Sequence, residues 1–231
     1  MFKIFTTPLA FLLTLLYDFI GNYGLTLIVV TLIVKLALYP VYKKQILSTA
    51  GMADMQPKMQ ALQRKYANDK EKLNQKMAEL YEEEGFNPMS GCLPMIIQMF
   101  IIMGLFTLLR NPMLYIQDDY MYFAVHESFL WIPDLSQPDP WILPLTAGVA
   151  TFFSFWMNQQ QMSGPGGQTN VMSKVMSYFF PIMIVWLSRS YPSGLAVYWA
   201  MSQIIQIFFN LRFNKIRKAM KEKNKPAKKR K

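Results

Sequence analysis

GNYGLTLIVVTLIVKLALYP, residues 21–40, decides the fold. The eighteen residues from Leu25 to Tyr42 are aliphatic apart from Thr26, Thr31, Lys35, Tyr39, Pro40 and Tyr42. A helix of that length crosses a hydrocarbon core. An amine lies near its middle, and a lysine at the centre of a membrane helix costs about 2.5–3.5 kcal/mol on insertion scales. Lys43, at the end of the stretch, is eight residues on, roughly 12 Å along a helix. A lysine stem snorkels only part of that distance. Lys35 is therefore expected to face protein-lined water, and an ionisable side chain so placed marks a functional site. The plainer alternative is an amine that reaches the interface and pairs with a headgroup.

Composition agrees with a polytopic, all-α membrane protein. The chain has 231 residues, 52% of them hydrophobic, with 18 methionines. The net charge of +10 is local: residues 212–231 hold eleven Lys or Arg against Glu222 alone, and elsewhere 13 basic residues face 13 acidic ones. A basic end does not make the whole chain a nucleic-acid binder. The single cysteine, Cys92, rules out an internal disulfide or a cysteine-based zinc site. The first apolar run, Pro8 to Ile20, contains Asp18, is short for a span and is followed by no small-residue cleavage site. Residues 1–22 are thus expected to form an interfacial helix.

Five spans are expected within residues 23–213: about Leu25 to Tyr42, Met89 to Leu109, Trp141 to Met157, Val171 to Leu187 and Gly194 to Phe213. Between the first two, residues 45–86 read as a polar helical hairpin. Met52, Met55, Met59, Leu62 and Tyr66 form one stripe, and Leu73, Met77, Leu80 and Tyr81 a second. Asn68 with Glu71 suggests a capping box, and Gly85 a stop. The methionines either hold the two helices together or offer a soft surface, through Met52, Met55, Met59 and Met77, to varied apolar partners. The connection 111–140 carries five acidic residues, no Lys or Arg, and many aromatics suited to a headgroup boundary. The positive-inside rule then puts the hairpin and the basic tail, residues 214–231, in the cytoplasm and the N-terminus outside.

Thr31, Lys35 and Tyr39 share a helix face at four-residue spacing. Polar groups at comparable depth, or nearer the cytoplasm, occur in other spans: Gln98, Asn158 to Gln161, and Tyr198, Trp199, Gln203, Gln206 and Asn210. A lone glutamine is usually glue between helices. Several such groups around one cation fit a hydrated groove open to the cytoplasm. No paired carboxylate, HExxH or GxSxG occurs in the apolar segments, GPGG at residues 164–167 lacks a following Lys-Ser/Thr, and the one histidine, His126, lies in the connection. No metal or cofactor is expected, and covalent or metal catalysis lacks its parts. A cation in a wet, low-dielectric groove attracts acids or backbone carbonyls that would otherwise be desolvated.

These features, in this order, resemble the YidC family of membrane protein insertases in its short form, without a large external domain. Residues 21–40 resemble its first core span. MQPKMQALQRKYANDKEKLNQKMAELYEEEGFNPMSGCLPMIIQMF, residues 55–100, resembles its hairpin and second core span, and YPSGLAVYWAMSQIIQ, residues 191–206, its last span. The similarity runs from about residue 15 to residue 213. It implies a five-helix bundle whose hydrophilic groove, closed on the outer side, holds the polar flank of a substrate's transmembrane segment. Lys35 matches the family's groove arginine, Thr31 its threonine one turn earlier, and Trp199 an aromatic that faces substrate. Lysine keeps the charge but lacks the planar fork for bidentate capture. Phe100 stands where the family commonly has proline.

The expected groove residues are Lys35, Thr31, Gln98, Asn158, Gln159, Tyr198, Trp199 and Gln203. The expected partners are nascent membrane proteins, the bilayer and a Sec-type translocon, with a monomer sufficient. Lys215, Arg217, Lys218, Lys228, Lys229 and Arg230 suit either anionic lipid or ribosomal RNA, and the resemblance favours the ribosome. The expected location is a bacterial plasma membrane. Two competing readings are a small transporter or channel that binds an anionic solute at Lys35, and a structural subunit whose polar spans serve assembly. The lack of an internal repeat counts against the transporter.

Overall fold

Gly21, Leu38 and Gly85 punctuate the first third of the chain and set its helix boundaries. The structure, a computed structural model, describes residues 3–85, 93–111, 114–116, 119–162 and 171–223. All regular elements among them are helices: α1 (Lys3–Ile20), α2 (Tyr23–Ala37), α3 (Tyr39–Lys65), α4 (Lys70–Glu83), α5 (Leu93–Arg110), α6 (Asp119–Ala124), α7 (Ile142–Met162), α8 (Val171–Ser188) and α9 (Ser193–Lys223). The beginning of the second expected span, from Met89, and the turn at 163–170 lie outside the described residues.

Gly21 adopts φ +64°, the left-handed geometry that ends α1, and its amide donates to the Tyr17 carbonyl at 2.8 Å. Asn22 then caps α2, its side chain accepting from the Leu25 amide at 3.0 Å. The expected first span does not run unbroken to Tyr42. It breaks at Leu38, because Pro40 has no N–H to return to the Leu36 carbonyl and its ring crowds that turn. Past the break, α3 continues without interruption into the hairpin, so one helix joins the apolar bundle to the polar arm.

The hairpin's second helix starts one residue later than the Asn68 capping box implies. Asp69 accepts from the Lys72 amide at 3.0 Å, and Gly85, at φ +60°, follows its end. An ion pair between Lys58 and Glu84 ties α3 to the end of α4. Both side chains are substantially exposed, so the pair adds little stability and serves mainly to set register.

In the bundle, α7 packs against α8 and α9, α9 against α2, and α1 against α2 and α5. The core gathers Leu13, Tyr23, Leu27, Leu105, Leu108, Met121 and Tyr198 from α1, α2, α5, α6 and α9. α1 contributes Leu9, Leu13 and Tyr17 to that core while turning Phe11, Leu15 and Phe19 outward. The outer surface carries rows of large apolar side chains, among them Leu32 and Leu36 on α2, Leu145, Val149 and Phe153 on α7, Phe179, Ile182 and Trp186 on α8, and Phe208 and Leu211 on α9. Apolar faces of that extent call for a cover other than water. Among the described residues one helix, Ser193–Ile216, is both long and apolar enough to cross a membrane, and the other apolar helices are shorter.

The connection before α7 is built on Asp139, which accepts from Trp131 Nε1 at 2.7 Å and from the Trp141 and Ile142 amides at 2.8 and 3.1 Å. Burial alone would push this carboxyl up, but those three hydrogen bonds outweigh it and hold the group below the ordinary value of 3.8. A carboxyl depressed by folding contributes stability above its unfolded value and loses it as pH falls through the folded one. The connection is therefore expected to loosen only below the ordinary value of 3.8. Trp131 fluorescence followed down an acid titration checks this, and Asp139→Asn should reduce the acid dependence to the share of Asp134, which Ser136 and His126 also hold below its ordinary value.

Candidate functional site

Lys35 ends one turn above the break at Leu38, and its side chain is 4% exposed. An ammonium has three hydrogens to donate and nothing with which to accept. Here three neutral oxygens surround it: Tyr42 Oη at 3.1 Å, Gln98 Oε1 at 3.3 Å and Gln206 Oε1 at 3.5 Å. The amine also lies 4.7 Å from the centre of the Tyr42 ring, within cation–π range. Tyr42 Oη donates to Gln98 Oε1 at 3.2 Å, and Gln98 Nε2 donates to Tyr198 Oη at 3.1 Å. Gln206 Nε2 donates to Asn210 Oδ1 at 3.3 Å. Four helices thus supply one network: α2, α3, α5 and α9.

Among the described residues no carboxylate pairs with Lys35; the ion pairs lie in the hairpin and the connection. The donor distances also sit at the long end for N–H···O bonds. The charge is held, but by weak neutral acceptors rather than by a counter-ion. A carboxylate brought to this point would improve on every one of them, and a backbone carbonyl would match the glutamines.

The structure gathers some of the expected residues and separates others. Gln98 joins Lys35 directly, and Tyr198 joins it one step removed, through Gln98 Nε2. Thr31 is buried on the same helix but is occupied by its own backbone, donating to the Leu27 carbonyl at 2.6 Å. Trp199 faces another way: its indole N–H donates to Thr151 Oγ1 on α7 at 2.9 Å, and its ring packs near Ala147 and Ile184. Successive residues on a helix point about 100° apart, so Tyr198 and Trp199 cannot both face the amine. Gln203, Asn158 and Gln159 are half-buried on α9 and α7. Tyr39 leaves the expected stripe as well, its ring stacked on Phe213 and edge-on to Phe209. The break at Leu38 takes it there, and Tyr42 holds the amine.

On the hairpin, Met55 is buried, while Met59 and Met77 are half-buried. Met77 lines an open cleft of about 350 Å³ together with Gln63, Leu73, Asn74, Ala78 and Tyr81. Met52 is on α3 and Arg217 on α9, and the side chains of both lie outside the described residues, as do Lys228, Lys229 and Arg230 entirely. Lys215 and Lys218 are on the exposed part of α9.

Residues 15–222 match the family model described as 60Kd inner membrane protein. A relative named membrane protein insertase YidC, from Fusobacterium nucleatum subsp. nucleatum, is 38% identical over 200 residues, which cover 86% of this chain and 89% of the relative. A relative of the same name from Wolinella succinogenes is 36% identical over 94% of this chain, but that match spans only 38% of the longer protein. A crystal structure of an active YidC insertase with its first transmembrane domain resolved superposes with a TM-score of 0.65 at 28% identity, covering 90% of this chain and 45% of that one.

Proposed function

We propose an activity for this chain, which belongs to the 60Kd inner membrane protein family: it is a membrane protein insertase and chaperone. In this reading it moves transmembrane segments of small membrane proteins from the cytoplasm into the bilayer and performs no covalent chemistry. The observation that carries it is the Lys35 ammonium, buried among Tyr42, Gln98 and Gln206 without a counter-ion among the described residues. Such a charge offers a desolvated acid or carbonyl of a passing segment a partner partway through the hydrocarbon.

The finer reading follows from this. Residues 23–213 cross the bacterial plasma membrane five times, with the N-terminus outside and the hairpin and tail in the cytoplasm. A groove centred on Lys35, with Gln98 and Tyr198 in its wall and Thr31, Asn158, Gln159, Trp199 and Gln203 along its course, opens to the cytoplasm when a substrate enters. The exposed apolar rows on α2, α7, α8 and α9 support lipid contact. The cleft beside Met77 supports first contact with substrate on the hairpin. The basic tail neutralises phosphate on the ribosome or on lipid, a monomer suffices, and a Sec-type translocon is an accessory partner.

Vesicles containing the purified chain test this. A small single-span protein synthesised in their presence is expected to become protease-protected, and a photoreactive residue at position 199 to cross-link to a stalled nascent segment. Equal protection in empty vesicles, with no cross-link, overturns the reading.

A further inference from the structure

We propose that Tyr42 is the resting ligand of Lys35, a displaceable stand-in for substrate through which the hairpin helix controls access to the amine. The inference rests on Lys35 being the substrate-binding group. The ammonium's three donors are fully taken by three acceptors in this structure, so a substrate oxygen must displace one of them.

The three are not equally fixed. Gln98 is held on α5 by a second bond, from its Nε2 to Tyr198 Oη, and Gln206 on α9 by its bond to Asn210. Tyr42 stands on the far side of the Leu38 break, on the helix that becomes the hairpin. Among the described residues, the hydroxyl's one hydrogen bond beyond the amine is its donation to Gln98 Oε1, the same oxygen that already accepts from Lys35. Withdrawing Tyr42 therefore gives up one of the two bonds that Gln98 Oε1 accepts and opens one site on the amine. The movement this takes is a swing of α3 about the break, where Tyr39 and Tyr42 meet Phe209 of α9 by ring packing rather than directional bonds. What takes the vacated place is an anionic or carbonyl oxygen of the incoming segment, which is a stronger partner than a phenol. Tyr42 is thus a positioning residue: it keeps the charge satisfied while no substrate is present.

The test labels the full-length chain in vesicles with acetic anhydride. It reads acetylation of Lys35 by peptide mass spectrometry against that of Lys43, the nearby exposed lysine. Tyr42→Phe keeps the ring and removes the hydroxyl, and is expected to raise Lys35 labelling about fivefold, the worth of one hydrogen bond. Tyr39→Phe, which alters a neighbouring ring with no bond to the amine, should leave labelling unchanged. Equal labelling in wild type and Tyr42→Phe overturns the proposal, as does an equal rise in Tyr39→Phe. Loss of the underlying substrate-binding role would show elsewhere, as insertion that survives Lys35→Leu, whatever the labelling gives.

Discussion

Lys35→Leu is expected to lower insertion by about tenfold or more, the rate equivalent of ~1.4 kcal/mol, while leaving the protein at least as stable as before. The two halves of this expectation pull against each other, which makes the result decisive. A centrally placed lysine costs about 2.5–3.5 kcal/mol on insertion scales, whereas leucine is favourable there. Nothing in the fold requires the amine: its partners are two glutamines and a tyrosine, and Gln98, Tyr42 and Gln206 keep bonds to Tyr198, to Gln98 and to Asn210 after it is gone. A buried cation with no carboxylate partner among the described residues is thus a residue for which the fold gives up stability, and the return lies in function. Lys35→Arg keeps the charge and should insert at least as well as wild type; Lys35→Gln keeps polarity alone and should fall between. Protease-protected product in vesicles gives the rates, and thermal unfolding in detergent gives the stabilities. A leucine variant that inserts normally removes the polar groove from the mechanism.

The helical bundle and its central charge were legible because both are local signals. Apolar length marks the spans, and a single lysine inside one of them needs no partner to be noticed. Gln98, Tyr198, Gln206 and Asn210 were legible as polar interruptions of apolar helices, the last two at the four-residue spacing that their hydrogen bond uses. Tyr42 reads in the sequence as the end of a span, although seven residues return a helix almost to the same face. Tyr39, at four residues, was the more obvious neighbour, and the proline between them redirected it. Trp199 is a groove residue by resemblance, and here its indole bonds Thr151 on α7 while Tyr198, expected in the same groove, bonds Gln98. The Asp69 cap shows the same limit on a smaller scale: Asn68 with Glu71 carries the capping-box pattern, and the turn sets the cap one residue later. None of these patterns could point to Glu127, whose partners lie more than a hundred residues away.

That carboxylate supports the second large prediction: Glu127→Leu should destabilise the fold by about 3–5 kcal/mol, two charge-assisted hydrogen bonds lost at once. Glu127 accepts from the Tyr17 hydroxyl with one oxygen and from the Tyr23 amide, at 2.8 Å, with the other. Tyr17 lies in the last turn of α1, and Tyr23 is the first residue of α2, where the helix dipole favours a negative charge. One side chain of the connection thus joins the ends of two helices. Tyr23 is 1% exposed, so leucine would strand its amide away from water, while the Tyr17 hydroxyl falls back on its hydrogen bond with Tyr120. The segments meet closely here, since a Cβ on Gly24 would come within 2.2 Å of the Phe129 ring, and there is no room for a compensating shift. Glu127→Gln retains one acceptor oxygen and should cost about half as much. Tyr17→Phe removes a donor together with its need for a partner and should cost about 1 kcal/mol. Thermal unfolding in detergent should rank the variants in that order. The loss should reach function as well, because α2 carries Lys35 and takes its start from this junction. If Glu127→Leu melts with the wild type, the junction is held by packing alone, and α2 needs no anchor from the connection.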